Sequence, residues 1–194
     1  MRADLYDAIS DGNLDDIENA WKPMLSDALN GLRATGPLTG LRAGEVNAQD
    51  AHWEWRRKLI GRRASPSWRS FAIEFDGMTQ GVMSTRLDAF GRAGANRGLD
   101  IVYVDLLASA PWNRYRLVEA PKFGGIGRAL LAAAVSLSLE EELAGRTGLH
   151  SLPQSESWYR DKCAMSDLGR EVDGPYEGLS YFEMTSEQAR AFLS

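Results

Sequence analysis

A glycine-rich turn at the predicted junction of a buried strand and a helix is the clearest candidate for binding chemistry. It reads Lys122-Phe-Gly-Gly-Ile-Gly-Arg128 and runs directly into an apolar helical repeat. Glycines let the backbone turn tightly and approach a ligand closely. The first N–H groups of a helix lack helical partners and lie at the positive end of its dipole, so they attract phosphates. We therefore predict an anion site formed by Lys122, Phe123, Gly124, Gly125, Ile126, Gly127 and Arg128.

The spacing of the glycines separates the ligand classes that use such turns. A Walker loop needs Gly-Lys-Ser/Thr at its end, whereas Gly127 is followed by Arg128 and Ala129, which excludes that class of nucleoside triphosphatase. A dinucleotide fingerprint needs a third small residue where Leu130 stands. A glycine-rich helix entry without a ligand remains open.

The segment before this region is predicted to be mainly helical. After a short strand at 5–9, apolar residues recur every three or four positions over 14–32, which indicates one buried helical face. Asn13 is the predicted N-cap, and Pro23 predicts a kink or break. Residues 35–44 read as a loop, and Asp50 is predicted to cap a helix over 51–60 that ends at Gly61.

The remaining elements alternate between strands and helices. Asp76-Gly77 between two apolar runs, 68–75 and 79–87, predicts a hairpin, followed by a mobile connection at 89–98 and a central strand at 101–107. Further elements are predicted as a helix at 127–143, a strand at 148–152, a helix at 155–164, a strand at 178–184 and a helix from 186. This order predicts an α+β fold with a mixed, partly parallel β-sheet flanked by helices.

Composition limits the setting in which the protein works. The chain has 194 residues, a net charge of −5 and one cysteine. Its size predicts a single domain over 1–194, with a helical part at 1–66. The acidic balance makes nucleic acid an unfavourable partner, and the longest apolar run, 129–135, is too short to cross a membrane. Cys163 has no disulfide partner and is predicted to be a small buried apolar group, so we expect a cytoplasmic protein.

Two signatures in order make residues 68–184 resemble the GNAT superfamily of N-acetyltransferases. Lys122-x-x-Gly125-x-Gly127 resembles the superfamily's pyrophosphate loop, with lysine in place of the usual glutamine or arginine. Ser155-x-x-x-Tyr159, followed by Ala164-Met165, resembles its second signature, in which alanine precedes tyrosine and a Gly-Phe pair follows. Leu152 stands where asparagine is usual.

The resemblance implies a GNAT-like fold and an N-acetyltransferase that uses acetyl-CoA as co-substrate, an amine as acceptor and no metal. It implies that the backbone of Leu107, Ala108 and Ser109 pairs with the pantetheine arm, that Tyr159 is the general acid, and that a homodimer is compatible with the fold. Asp105 interrupts an apolar central strand beside the expected acetyl position, and a buried carboxylate needs a reason, so it is our first candidate for the general base. Asp100, Glu74 and a water chain are alternatives.

Other features leave further interpretations open. The run Arg56, Arg57, Lys58, Arg62 and Arg63, with Trp53, Trp55 and Trp68 nearby, would suit a transferase directed to a nucleic acid such as tRNA, or a solvated helix face. A catalytically inactive acyl-CoA-binding module is the main alternative to an enzyme. His150 is predicted to be structural, and Trp112 and Tyr115 are candidates for a wall of the acceptor pocket.

Overall fold

One mixed sheet organises the part of the chain that the computed structural model describes, residues 3–92 and 94–194. Its spatial order is first, second, third, fourth, fifth, seventh and sixth strand. The fourth and fifth strands are parallel, and all other neighbours are antiparallel. The strands are β1 (Ala3–Tyr6), β2 (Trp68–Phe75), β3 (Met78–Phe90), β4 (Asp100–Ser109), β5 (Thr147–Ser151), β6 (Ser166–Arg170) and β7 (Ser180–Met184).

Helices cover both faces of this sheet, which confirms the predicted α+β class with a partly parallel centre. The helices are α1 (Asp11–Asp16), a π-helical turn (Ile17–Trp21), α2 (Lys22–Arg33), α3 (Gly40–Glu45), α4 (Trp55–Leu59), α5 (Ile126–Glu140), α6 (Glu156–Asp161) and α7 (Ser186–Leu193). Short 3₁₀ turns lie at Gln49–His52, Gly94–Asn96, Pro111–Asn113, Pro153–Ser155 and Gly174–Tyr176.

Two main hydrophobic cores lie on opposite faces of the sheet. The larger packs α5 and α7 against β4, β5 and β7 and includes Leu130, Leu149 and Phe182. The smaller joins α1, the π-helical turn and α4 to β2, β3 and β4, and includes Trp21 and Val82. The sheet is therefore buried on both sides where β4 crosses its centre, as its nearly continuous apolar sequence predicts.

The predicted hairpin is confirmed. Asp76 and Gly77 connect β2 and β3 with φ angles of 50° and 75°. Two consecutive residues with positive φ match the right-handed twist of the flanking strands, which explains why Asp-Gly is a strong hairpin signal.

The first helical segment differs from the prediction at its N-cap, and of the kink or break predicted at Pro23 the structure excludes the break. Ser10, not Asn13, is the N-cap, and Asn13 completes a capping box from the third helical position. Pro23 does not break the helix. It follows a π-helical turn in which the Lys22 N–H donates to the Ile17 carbonyl, and this wider turn accommodates a residue that lacks a backbone donor.

Three other predictions need correction. Residues 35–44 are not all loop, because Thr39 caps α3 with its side chain. The helix predicted over 51–60 is divided into a 3₁₀ turn and α4, and Asp50 lies inside that turn without capping it. The strand β6 was not predicted, because its sequence is polar and all of its residues but Ser166 are exposed.

The connection predicted at 89–98 is partly structured. Strand β3 continues to Phe90, and the buried Asn96 amide donates to the Glu183 carboxylate at 3.2 Å and to the Met184 carbonyl at 3.1 Å. Ala93 in this connection lies outside the described residues.

Contact between β3 and α5 requires glycine at position 81. A Cβ built there would lie 2.4 Å from Ile126 Cγ2 and 3.0 Å from Leu130 Cδ1. We expect Gly81→Ala to lower the free energy of unfolding by about 1–3 kcal/mol, because overpacking displaces α5. Gly31→Ala in α2 is the control: its Cβ meets nothing within 4 Å, and helix propensity predicts no loss. Urea denaturation measures both, and equal values would contradict the close contact.

Candidate functional site

The site begins where β4 and β5 separate. Their parallel pairing covers three residue pairs, from Val102 with Thr147 to Val104 with Leu149, whereas β4 continues to Ser109 and β5 to Ser151. A cavity of about 430 Å³ opens at this gap. Residues from β4, the glycine-rich turn, the 3₁₀ turn at 49–52 and the segment around α6 line it, among them Asp105, Leu107, Ser109, Asp50, Arg114, Tyr115, Gly124, Gly125, Gln154, Trp158 and Tyr159.

Asp105 occupies a β-bulge at the point of separation. Val104 pairs with Thr85 and Leu106 pairs with Ser84, so Asp105 is the extra residue of β4. The bulge changes the face on which alternate residues lie: Val104 belongs to the core beside α5, and Leu106 belongs to the opposite core. Asp105 therefore breaks the apolar pattern of β4 because the strand itself is irregular there.

The Asp105 carboxylate forms an ion pair with a residue of the predicted basic patch. Arg62 Nη1 donates to Asp105 Oδ2 at 2.7 Å, and the Arg62 guanidinium carbon lies 4.0 Å from the ring centroid of Trp68. Arg62 belongs to the basic run 56–63, but its side chain points toward the sheet. The sequence alone did not indicate this orientation.

The backbone of β4 beyond the bulge has two edges. The Ala110 N–H donates to the Gln80 carbonyl, and the same register pairs Ala108 with Val82. Alternation along the strand therefore directs the N–H and C=O groups of Leu107 and Ser109 into the gap and those of Ala108 toward β3. The Ser109 carbonyl already accepts a bond from Arg114 Nε at 2.8 Å.

The glycine-rich turn has the geometry of an anion site. Gly125 is the N-cap of α5, with a left-handed φ of 80°, and within the described residues no side chain caps this end. The first helical bond runs from the Ala129 N–H to the Gly125 carbonyl, so the N–H groups of Ile126, Gly127 and Arg128 precede the helical ladder. A Cβ at Gly124 or Gly125 would meet nothing within 4 Å, so the turn is open on the side where these side chains would lie.

The two cations predicted to flank this turn are directed elsewhere. The Arg128 guanidinium donates to the Phe192 carbonyl at 2.5 Å and lies 4.2 Å from the Phe192 ring centroid. Lys122 does not line the cavity, and its Nζ lies 5.3 Å from the ring centroid of Phe123. Arg128 lines the cavity, but its guanidinium is engaged by Phe192, so the main contribution of the turn is its backbone amides.

Polar contacts hold the long segment before the turn. Asn113 Oδ1 accepts from the Phe123 N–H at 3.0 Å, and the Asn113 amide and the Trp112 indole N–H both donate to Gln80 Oε1. Trp112 packs beside Trp21 and does not line the cavity. Tyr115, which is 72% exposed, does line it, so one of the two predicted wall aromatics is at the site.

A buried network that sequence reasoning missed closes one side of the cavity. Arg114 holds both carboxylate oxygens of Asp50, at 2.6 and 2.8 Å, and also donates to the Asn47 carbonyl. Gln49 and Gln154 exchange two bonds of 2.8 Å each between backbone N–H and side-chain oxygen. The network joins the helical part to both sides of the gap. The one sequence signal for it was Asp50, which was predicted to cap a helix.

Tyr159 lies within α6, where its ring packs against Trp158 and Phe182. Burial raises the pKa of its hydroxyl, so the phenol keeps its proton throughout the neutral range. Cys163 is buried beside it, and burial raises the pKa of the thiol to about 12, which agrees with the predicted apolar role.

His150 has the contacts of a structural histidine. Its Nδ1 lies 2.6 Å from the Tyr103 hydroxyl oxygen and its Nε2 lies 2.9 Å from Glu171 Oε1, so both ring nitrogens are engaged. Burial lowers the pKa of the ring, against the opposing effect of Glu171. His150 is therefore neutral near pH 7 and fixed by its neighbours.

The rest of the basic patch is partly neutralised by acids near α1. Arg56 pairs with Asp11 and Asp15, and Arg63 also pairs with Asp11. These exposed ion pairs compensate part of the positive charge of the patch.

No helix within the described residues combines the length and the apolar character that crossing a bilayer requires.

Comparison with known proteins identifies the fold. No protein-family model matches the chain, and no curated protein matches its sequence. A GCN5-related N-acetyltransferase from Ralstonia eutropha JMP134 is similar in structure, with 18% identity, a TM-score of 0.53 and coverage of 89% of this chain and 98% of that one. The chain therefore has the fold of the GCN5-related N-acetyltransferases, as its two signatures predict.

Two further structures support the same fold. PaiA N-acetyltransferase from Thermoplasma acidophilum, in complex with coenzyme A, has 11% identity, a TM-score of 0.55 and coverage of 95% and 100%. FeeM, an N-acyl amino acid synthase from uncultured soil microbes, has 10% identity, a TM-score of 0.57 and coverage of 98% and 93%.

The buried ion pair generates a stability prediction. Asp50→Ala leaves the Arg114 charge buried without its partner, so we expect a loss of about 3–5 kcal/mol in the free energy of unfolding. Asp88→Ala is the matched control, because the Asp88 carboxylate pairs with Arg86 at an exposed position and its loss costs less than about 1 kcal/mol. Urea denaturation of both variants tests this, and a loss below about 1 kcal/mol for Asp50→Ala, as expected for the exposed control, would show that the buried network does not stabilise the fold.

Proposed function

We propose that this chain is an acyl-CoA-dependent acyltransferase that transfers the acetyl group of acetyl-CoA to an amine. The single observation that carries the proposal is the start of α5, which no side chain of the described residues caps and which opens onto the gap between β4 and β5. Asp105 and Tyr159 line the same cavity, so an anion site and two proton-transfer groups share one space.

The coenzyme is proposed to bind along the β4 side of this gap. Its diphosphate accepts bonds from the amides that open α5, where the helix dipole also favours negative charge. Its pantetheine arm lies against Leu107 and Ser109, whose backbone groups face the gap, in the manner of an added strand. Similar structures that hold coenzyme A, in PaiA, and acetyl-CoA, in a predicted acetyltransferase from Clostridium acetobutylicum, support this choice of co-substrate.

Transfer then requires two proton movements. The amine nitrogen attacks the thioester carbonyl, and the carbon–sulfur bond breaks as the amide forms. The nitrogen loses a proton, for which Asp105 is the proposed acceptor, and the departing thiolate takes a proton from Tyr159. The products are an acetylated amine and free coenzyme A.

The environment of Tyr159 suits a donor that holds its proton until the thiolate forms. A phenol with its ordinary pKa of about 10 protonates a thiolate of about 8.5 at a cost of roughly 2 kcal/mol. Burial raises the pKa of the Tyr159 hydroxyl, which increases this cost, whereas a coenzyme thiolate formed in the same buried place would be disfavoured in the same way, which reduces it. Tyr159 therefore donates late, as carbon and sulfur separate.

We expect a panel of primary amines incubated with acetyl-CoA to include at least one that releases free thiol. Release should depend on both substrates, and the Cys163 thiol should give little background because it is buried and protonated. Amino acids belong in the panel because FeeM is named as an N-acyl amino acid synthase. If acetyl-CoA raises the melting temperature but no amine releases thiol, the chain is a binding module without catalysis.

Tyr159→Phe tests the proposed acid. Loss of the hydroxyl should lower kcat about 100-fold and leave the Kd of acetyl-CoA unchanged, because the hydroxyl acts only on the leaving thiolate. Tyr6→Phe, at an exposed position of β1, should retain full activity. If the two variants have equal kcat values, Tyr159 is not the acid.

A further inference from the structure

The Asp105 carboxylate is held by one residue from the helical part of the chain. Arg62 follows α4, before the region that resembles acetyltransferases, and its Nη1 lies 2.7 Å from Asp105 Oδ2 and 3.4 Å from Ser84 Oγ. Ser84 is on β3, next to the bulge. Arg62 therefore reaches across β3 to the irregular point of β4.

The Arg62 guanidinium is itself fixed by an aromatic surface. Its central carbon lies 4.0 Å from the ring centroid of Trp68, the first residue of β2. A planar guanidinium stacks on an indole while its edge remains available for a carboxylate, which an ammonium group does not reproduce. Trp68, Arg62 and Asp105 thus form a continuous row, which we call the Arg62 clamp.

Burial distinguishes this ion pair from its neighbours. The side chains of Arg62 and Asp105 are 21% and 14% exposed, whereas those of Arg56 and Arg63 are 46% and 48% exposed and pair with exposed acids. Solvent screens a partly buried pair less than a surface pair, so the Arg62 contact constrains its carboxylate more strongly.

We propose that Arg62 is a positioning residue for amine acetylation, because the clamp directs the Asp105 carboxylate toward the acceptor nitrogen in the cavity. This inference rests on the function proposed above. Within residues 3–92 and 94–194, the Arg62 contact is the side-chain hydrogen bond that holds this carboxylate. The amine proton passes to Asp105, and the guanidinium keeps its own protons throughout.

A double-mutant cycle on the full chain tests the proposal, with the best amine of the panel as acceptor. If Arg62 acts through Asp105, Arg62→Gln should lower kcat about tenfold in the native background and less than twofold in the Asp105→Asn background. The Kd of acetyl-CoA should stay unchanged in every variant, because the clamp does not contact the glycine-rich turn. Arg63→Gln is the matched control, removes an exposed neighbouring charge, and should leave kcat within twofold of the native value.

The outcomes separate this inference from the proposed function. Native protein that turns over no amine contradicts the function itself. Turnover by native protein, with equal tenfold losses in both backgrounds or with a loss under twofold from Arg62→Gln, overturns the clamp while the function stands. If Arg62→Gln does not fold, the same cycle with Arg62→Lys, which keeps the charge but not the planar stack, must show a loss confined to the native background.

Discussion

The site depends on the separation of two parallel strands. β4 and β5 stop pairing after three residue pairs, although both strands continue. Strand β4 stays bonded to β3 as far as Ser109, and β5 stays bonded to β7 as far as Ser151, so each strand follows its outer neighbour away from the other. The backbone groups on the inner edges then need other partners, because unpaired buried polar groups cost free energy. The inner edges of the gap therefore suit a polar, extended ligand that pairs with these backbone groups.

The two sides of this gap differ in how their polar groups are satisfied. On one side, Arg114 satisfies the Ser109 carbonyl and, with Asp50 and Gln154, ties the helical part across the opening. On the other side, the amides at the start of α5 have no capping side chain within the described residues. Polar groups of the chain thus close one side of the gap, whereas the backbone donors at the start of α5 have no side-chain cap from the described residues. The bulge at Asp105 places a carboxylate at the point where the two strands separate.

Local sequence signals predicted the parts of the fold and of the site that depend on local structure. The Asp76-Gly77 turn, the glycine-rich entry to α5 and the apolar strand interrupted by Asp105 are each encoded in a few consecutive residues. The ion pairs were not predictable in this way: Arg62 meets Asp105 across 43 positions, and Arg114 meets Asp50 across 64. Their partners follow from how the sheet and helices pack, and charge alone did not indicate that Arg62 points inward or that Arg128 turns toward Phe192.

The claim that the α5 amides hold the coenzyme diphosphate is tested most directly by amide NMR shifts. Coenzyme A and pantetheine, which lacks the diphosphate, are titrated separately into the ¹⁵N-labelled chain. The account predicts large shifts of the Gly125, Ile126, Gly127 and Arg128 amides with coenzyme A and small ones with pantetheine. Unchanged amides at these four positions on saturation with coenzyme A would contradict it.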